Sequence, residues 1–203
     1  MGDKTPKRSP SVGNKGFSPV ALPESPAAAS PQKNLTGFPR TVRDLAADVY
    51  NNIQMWNDLH IKGASVVKEI ASIKADNPKD FPGNLECLIN ELYGLVQSLR
   101  PYKDSLVTFT AQMRALEKLQ RNPEPLFLSL DIHSLTNLVE KISEAYEAEF
   151  NVKNFVLENI SYAKNKDDAM CLAALWTYQT RITNSVNLKL ETLLVETGHR
   201  KIT

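Results

Sequence analysis

At 203 residues and a formal net charge of +1, the chain suits one domain with an appended arm. The charge is unevenly spread: residues 1–40 carry Lys4, Lys7, Arg8, Lys15, Lys33 and Arg40 against Asp3 and Glu24, a net of +4, which leaves −3 for the rest. A weakly acidic body lacks the concentrated basic face that a phosphate backbone selects, so a dedicated nucleic-acid-binding domain is not expected.

Residues 1–40 read as a disordered Pro/Ser-rich basic arm. Seven of the twelve prolines fall there, interleaved with Ser, Gly and Ala, and such a segment buries too little apolar surface to offset its ordering entropy. Five Ser/Thr-Pro pairs lie in it, at Thr5, Ser9, Ser18, Ser25 and Ser30. Two of them, Thr5-Pro-Lys-Arg8 and Ser30-Pro-Gln-Lys33, place a cation three residues after the acceptor, the full pattern read by cyclin-dependent kinases. Phosphate at Thr5 and Ser30 would swing the arm from positive towards neutral or negative; Ser9, Ser18 and Ser25 are weaker candidates. The arm shows no apolar signal-like core, and the longest apolar run, Met170 to Trp176, is too short to span a bilayer. An intracellular protein is expected, with its sequons at Asn34 and Asn159 unglycosylated.

The body, residues 41–203, reads as all-α: an elongated antiparallel bundle of about four long, coiled-coil-like helices near 41–75, 84–121, 134–164 and 168–197. The first begins at Thr41 as N-cap. It keeps a seven-residue beat through Val42, Leu45, Val49, Asn52, Trp56, Leu59, Gly63, Val66, Ile70 and Ile73. Asn52 is expected to fix register, and Gly63 to admit a close backbone or mark a kink. The second helix repeats the beat from Leu85 to Leu116 without a polar interruption. Pro101 lies inside that run, and the unbroken register predicts a kink and not an end. Each of these helices would span about 50 Å, and a short turn between them makes them antiparallel.

Between the second and third helices, Arg121 to His133 carries Pro123 and Pro125 and then Leu126, Phe127, Leu128 and Leu130, too apolar for a solvated loop. These side chains either pack back on the bundle or dock a partner, and packing back is favoured. The third helix has a broad stripe that includes Tyr146, Phe150, Leu157 and Ile160. The fourth starts after a cap at Asp167 or Asp168, and the Thr-rich stretch Thr177 to Asn184 is a place for it to break. At its end, Gly198 supplies a residue tolerant of positive φ, and His199, Arg200 and Lys201 face the negative end of the helix dipole.

No phosphate-binding loop, dinucleotide glycine fingerprint, metal-ligand cluster or nucleophile-histidine spacing is present in the sequence. Cys87 and Cys171 lack zinc spacing and sit in apolar helical contexts, where a thiol acts as a small hydrophobe. The chain is thus read as a non-enzyme with no cofactor and no metal. Leu190-Glu-Thr-Leu193-Leu194 fits an LxxLL docking motif, but those leucines are needed for the buried stripe.

Leu190-Glu191, Leu194 and the ending Glu196-Thr-Gly-His-Arg200, with Trp176 upstream, resemble the cyclin-dependent kinase 2-interacting protein family. Looser matches cover Asp48 to Trp56, Leu59 to Gly63 and Pro125-Leu126-Phe127, and the arm and the 76–84 turn lie outside the resemblance. The resemblance implies a nuclear, non-catalytic adaptor. Its implied partners are cyclin-dependent kinase, the Dbf4-dependent kinase, replication and checkpoint proteins, and AAA+ ATPase subunits of an assembly acting in large ribosomal subunit maturation and replisome remodelling. It also makes Trp176, Glu196, Thr197, His199, Arg200, Leu126 and Phe127 candidate partner contacts. The alternative is a structural coiled-coil subunit of a cytoskeletal or kinetochore-type complex, whose partner completes the heptad seams. A membrane-binding bundle is disfavoured by the acidic body.

Overall fold

The computed structural model describes residues 35–76, 82–120 and 124–201. Thr5, Ser9, Ser18, Ser25 and Ser30, and the arm reading as far as residue 34, lie outside the described residues. What is described is an antiparallel helical bundle of five α-helices: α1 (Phe38–Asp76), α2 (Gly83–Leu119), α3 (Ile132–Asn159), α4 (Lys166–Thr177) and α5 (Asn184–Glu196). Helix α2 packs on α1 and α3 from one side, while α4 lies chiefly on α1, and α5 on α3, from the other. The fold is thus a four-helix bundle whose fourth helix is broken in two, at the Thr-rich stretch where the sequence is weakest in helix formers.

The heptad seams close inside the chain. All ten seam positions of α1 are buried or half-buried, and α2 buries Leu85, Leu92, Leu99, Leu106 and Met113 while half-burying Leu88, Leu95, Tyr102, Phe109 and Leu116. Asn52 fixes register as expected of a polar seam residue: its side-chain amide donates to the Tyr102 carbonyl of α2 at 2.8 Å. Helix α2 runs unbroken through Pro101, which forgoes one internal hydrogen bond.

Several boundaries differ from the sequence reading. Helix α1 starts at Phe38, so Thr41 is not its cap; the Thr41 amide and hydroxyl both donate to Gly37, at 3.2 and 3.3 Å. Pro39 falls in the first turn, where its missing N–H costs nothing. Asp131 caps α3 by accepting from the Ser134 amide at 2.9 Å, and α3 gives way at Ile160 to a short 3₁₀ turn. Asn165, and not Asp167 or Asp168, caps α4: it accepts from the Asp168 amide at 2.8 Å, and Asp168 accepts from the Lys164 amide at 3.3 Å. Both cysteines are exposed free thiols; each lies on the outward face of its helix, next to a core-facing leucine, Leu88 or Leu172, and not on that row.

Gly63 admits a side chain and not a backbone. The indole of Trp176, fully buried, lies so close that a Cβ at position 63 would stand 2.2 Å from Trp176 Cζ2. Gly94, exposed on α2, has open space where a Cβ would go. Gly63→Ala is therefore expected to destabilise by about 1–3 kcal/mol through overpacking, whereas Gly94→Ala should stabilise by about 0.5–1 kcal/mol by reducing unfolded-chain entropy. Urea unfolding of the two variants beside the wild type measures both signs.

Candidate functional site

Two regions contain the side chains that combine chemistry with position: the C-terminal corner and a buried polar node at the α4–α5 break. At the corner, α5 ends in a Schellman motif. Gly198 takes φ +73°, its amide donates to Val195 O at 3.0 Å, and the His199 amide donates to Leu194 O at 2.8 Å. The side chains then tie this end to two other elements. Glu196 is buried and accepts from the Ser129 and Leu130 amides at 3.0 and 3.2 Å and from the Ser129 hydroxyl. Burial alone would raise the Glu196 carboxyl, but these donors outweigh it and hold the group below the usual carboxylate range. Thr197, fully buried, donates back to Leu193 O at 2.7 Å.

His199 and Arg200 reach α1. His199 Nε2 donates to the Arg43 carbonyl at 2.8 Å. The Arg200 guanidinium lies over the Tyr50 ring, 5.4 Å from its centroid, and pairs with Glu191 at 2.9 Å. Both residues remain exposed at the surface, so they are accessible while already engaged within the chain. Leu126 and Phe127 are half-buried and packed on the core, the outcome that their apolar character favoured. Trp176, Glu196 and Thr197 are buried and do not offer their side chains to a partner. The structure thus brings Glu196, His199, Arg200 and the 126–130 segment around one end of the bundle, with Trp176 apart from them.

Trp176 belongs to the second region. Lys153, on α3, is fully buried, and its ammonium meets two hydrogen-bond acceptors and one carboxylate as an ion pair. Its Nζ lies 3.0 Å from Glu149 Oε1, 2.6 Å from the Trp176 carbonyl and 3.2 Å from His60 Nδ1. It also stands 4.5 Å from the centre of the Trp176 ring. An ammonium can only donate, so His60 Nδ1 is the acceptor of its contact with Lys153, which leaves the proton of the neutral ring on Nε2. The second Glu149 oxygen accepts from the Arg181 amide at 3.0 Å. Trp176 Nε1 donates to the His60 carbonyl at 3.2 Å, and Trp56 Nε1 donates to Gln179 at 3.0 Å. Trp56 is itself set edge-on against Tyr146, 5.3 Å between centroids. Trp176, Gln179 and Arg181 are therefore each held by a side chain of α1 or α3. The hold is firm enough to keep Gln179 at φ 43°, a left-handed conformation that costs a residue with a Cβ about 1–3 kcal/mol.

Seam spacing carries a signal for this node that motifs do not. Lys153 occupies the stripe position between Phe150 and Leu157, and His60 sits four residues after Trp56 on the face of Gly63; a charge at a core position calls for a buried partner. Glu149 and Gln179 carried no such mark. Chemically the node pairs a neutral acceptor with a cation and a carboxylate that are both fully buried, so it works as a structural clamp. Among the described residues no group of three or more His, Cys, Asp or Glu is placed to hold a metal ion, and no described helix is long and apolar enough to cross a membrane.

Burial, reinforced by the Lys153 charge, pushes the His60 imidazole down to about 4. Its unfolded-state value is near 6.5, so between pH 6.5 and 4 the unfolded chain binds the extra proton and the native state does not. Stability from this group is complete above pH 6.5 and is lost as pH falls towards 4. Thermal unfolding from pH 7 to pH 4 should therefore fall more steeply for the wild type than for His60→Gln, whose amide can accept from Lys153 but does not titrate. Equal slopes would show that His60 is not held neutral.

No protein-family model matches the chain. Over 204 aligned residues it is 26% identical to the cyclin-dependent kinase 2-interacting protein of Mus musculus, covering 86% of this chain and 96% of the mouse protein. The Xenopus laevis protein of that name is 24% identical over 204 residues, covering 88% of this chain and 99% of its own length. The Homo sapiens protein is 24% identical over 192 residues, covering 80% of this chain and 91% of its own. These relatives are named as interacting proteins and not as enzymes. Similarity of this extent takes in most of the helical body and not one motif, and it relates the chain, at the level of the family, to the cyclin-dependent kinase 2-interacting proteins.

Proposed function

We propose that the chain is a non-catalytic adaptor that binds a cyclin-dependent kinase through its helical body. The observation that carries this reading is the near end-to-end similarity to proteins named for interaction with cyclin-dependent kinase 2. The two full consensus sites at Thr5 and Ser30 support it independently, since an adaptor that holds such a kinase brings its own arm within the kinase's reach. The closed seams favour an adaptor that folds alone over a coiled-coil subunit awaiting its partner strand.

In the finer reading, the adaptor works in the nucleus, linking cyclin-dependent and Dbf4-dependent kinases to replication and checkpoint complexes. There it serves as a subunit of an AAA+ ATPase assembly acting on large ribosomal subunits and the replisome. What supports this is the family resemblance. The exposed pair His199 and Arg200 and the half-buried Leu126 and Phe127 are the residues proposed to meet partners.

Mixing purified full chain with cyclin-dependent kinase 2 bound to cyclin should give a co-eluting complex, with a dissociation constant in the range of about 0.1–10 μM, as for a transient signalling contact. Adding ATP should then place phosphate on Thr5 and Ser30, read by mass spectrometry. Absence of a complex at concentrations of about 100 μM, a free energy near −5.5 kcal/mol, would contradict the kinase reading.

A further inference from the structure

Along the outer side of the node, α1 and α4 leave an open groove of about 640 Å³ between them. Its floor is made of small side chains, Ala64 and Ala71 from α1 and Ala173 and Ala174 from α4. Its rim is large and apolar: Ile61 is 63% exposed, Met170 54% and Tyr178 78%. These are costly side chains to leave in water, and they surround one concave surface where isolated exposed hydrophobes would be scattered. The groove is positioned by the buried contacts beneath it. Trp176 and His60 fix how closely α4 approaches α1, and the held break at Gln179 sets where Tyr178 stands.

The walls select the occupant's backbone. Both are helices whose N–H and C=O groups are already bonded along their own axes, so they offer nothing to an extended peptide, whose buried backbone would go unpaired. A helix satisfies its own backbone, and a floor of alanines lets one approach closely. From Ile61 to Ala71 the groove runs about 15 Å at 1.5 Å per residue, three turns of an incoming helix. Charge selects further. Lys68 is the one formally charged side chain among the lining residues, for His60 is held neutral by burial. Lys68 is exposed, and no described residue pairs with it. A carboxylate on the occupant would complete it.

We propose that the α1–α4 groove receives an amphipathic helix from a protein partner, its apolar ridge on the alanine floor between Ile61, Tyr178 and Met170 and an acidic side chain at Lys68. This placement does not depend on which kinase is bound. A photo-cross-linking residue, p-benzoylphenylalanine, replacing Ile61 or Tyr178 in the full chain inside cells tests it, with Tyr93, exposed on α2 away from the groove, as the reference position. The cross-linked peptide, identified by mass spectrometry, should show apolar residues at i, i+3 or i+4, and i+7, with Asp or Glu within a turn of them. A synthetic peptide of that segment should bind the purified full chain. Lys68→Glu should weaken it about tenfold, and changing the peptide's carboxylate to lysine should restore binding to that variant. Because Lys68 is exposed, the variant's unfolding midpoint should stay at the wild-type value, which separates lost docking from lost folding. Cross-links to a second copy of this chain, to lipid or to an extended proline-rich segment would overturn the proposal, as would a yield no higher than at Tyr93. Failure of kinase binding with the helical cross-link retained would refute the kinase reading alone.

Discussion

A fully buried lysine ammonium has to find its partners inside the protein, and in this bundle that requirement ties the break between α4 and α5 to α1 and α3. Lys153 takes Glu149 from its own helix, His60 from α1 and the Trp176 carbonyl from the end of α4. An apolar side chain at 153 would fill the same space without directing anything. A buried charge tolerates one arrangement, because removing a single partner of such a pair costs about 3–5 kcal/mol. Burial lowers the Lys153 ammonium to about 8, and Glu149 opposes that fall. Glu149 thus helps to keep the group cationic at neutral pH. The same carboxylate then reaches the Arg181 amide, so one ion pair holds both ends of the break.

The break has consequences at each end of the fourth helical segment. Upstream, it sets α4 against Gly63, where nothing larger than hydrogen fits below the Trp176 indole. Downstream, it redirects the chain so that α5 packs on α3 and delivers Glu196 to the 126–130 segment and Arg200 to Tyr50. The surfaces proposed to meet partners, the α1–α4 groove and the His199–Arg200 corner, lie on either side of this break in the chain. The proposed adaptor role asks for fixed surfaces more than for reactive groups, and the buried charge of the node serves to fix them.

Much of this was legible from hydrophobic spacing. The seven-residue beat of α1 and α2 named the buried rows, and it correctly ran through Pro101, because one missing hydrogen bond is small beside ten apolar seam positions. Asn52 was legible as a register device because a polar residue on a seam has few other uses. Helix ends were less legible: Gly37-Phe-Pro39 competes with Thr41 as a start, and Asn165 with the aspartates after it, and only tertiary contacts decide between such neighbours. The ending Glu196-Thr-Gly-His-Arg200 was readable as a cap, and its resemblance to a family singled it out further. Nothing local announced that Glu196 would turn inward to loop amides 66 and 67 residues away. The node was half legible. Lys153 and His60 stand out on apolar faces, but their shared destination, the backbone of residues 176 and 177, exists only once α4 has packed.

Amide hydrogen exchange at Arg181 tests the central claim most directly. Arg181 is exposed and lies in a turn outside any helix, so its amide would exchange near the unprotected rate if nothing held it. With Glu149 accepting from it and Lys153 holding Glu149, the wild type should protect this amide by about a hundredfold or more, equivalent to some 2.7 kcal/mol. Lys153→Met should abolish that protection while amides in the middle of α1 and α2 keep most of theirs. Equal protection at Arg181 in the two proteins would contradict the account, for it would mean that the break keeps its path without the buried charge.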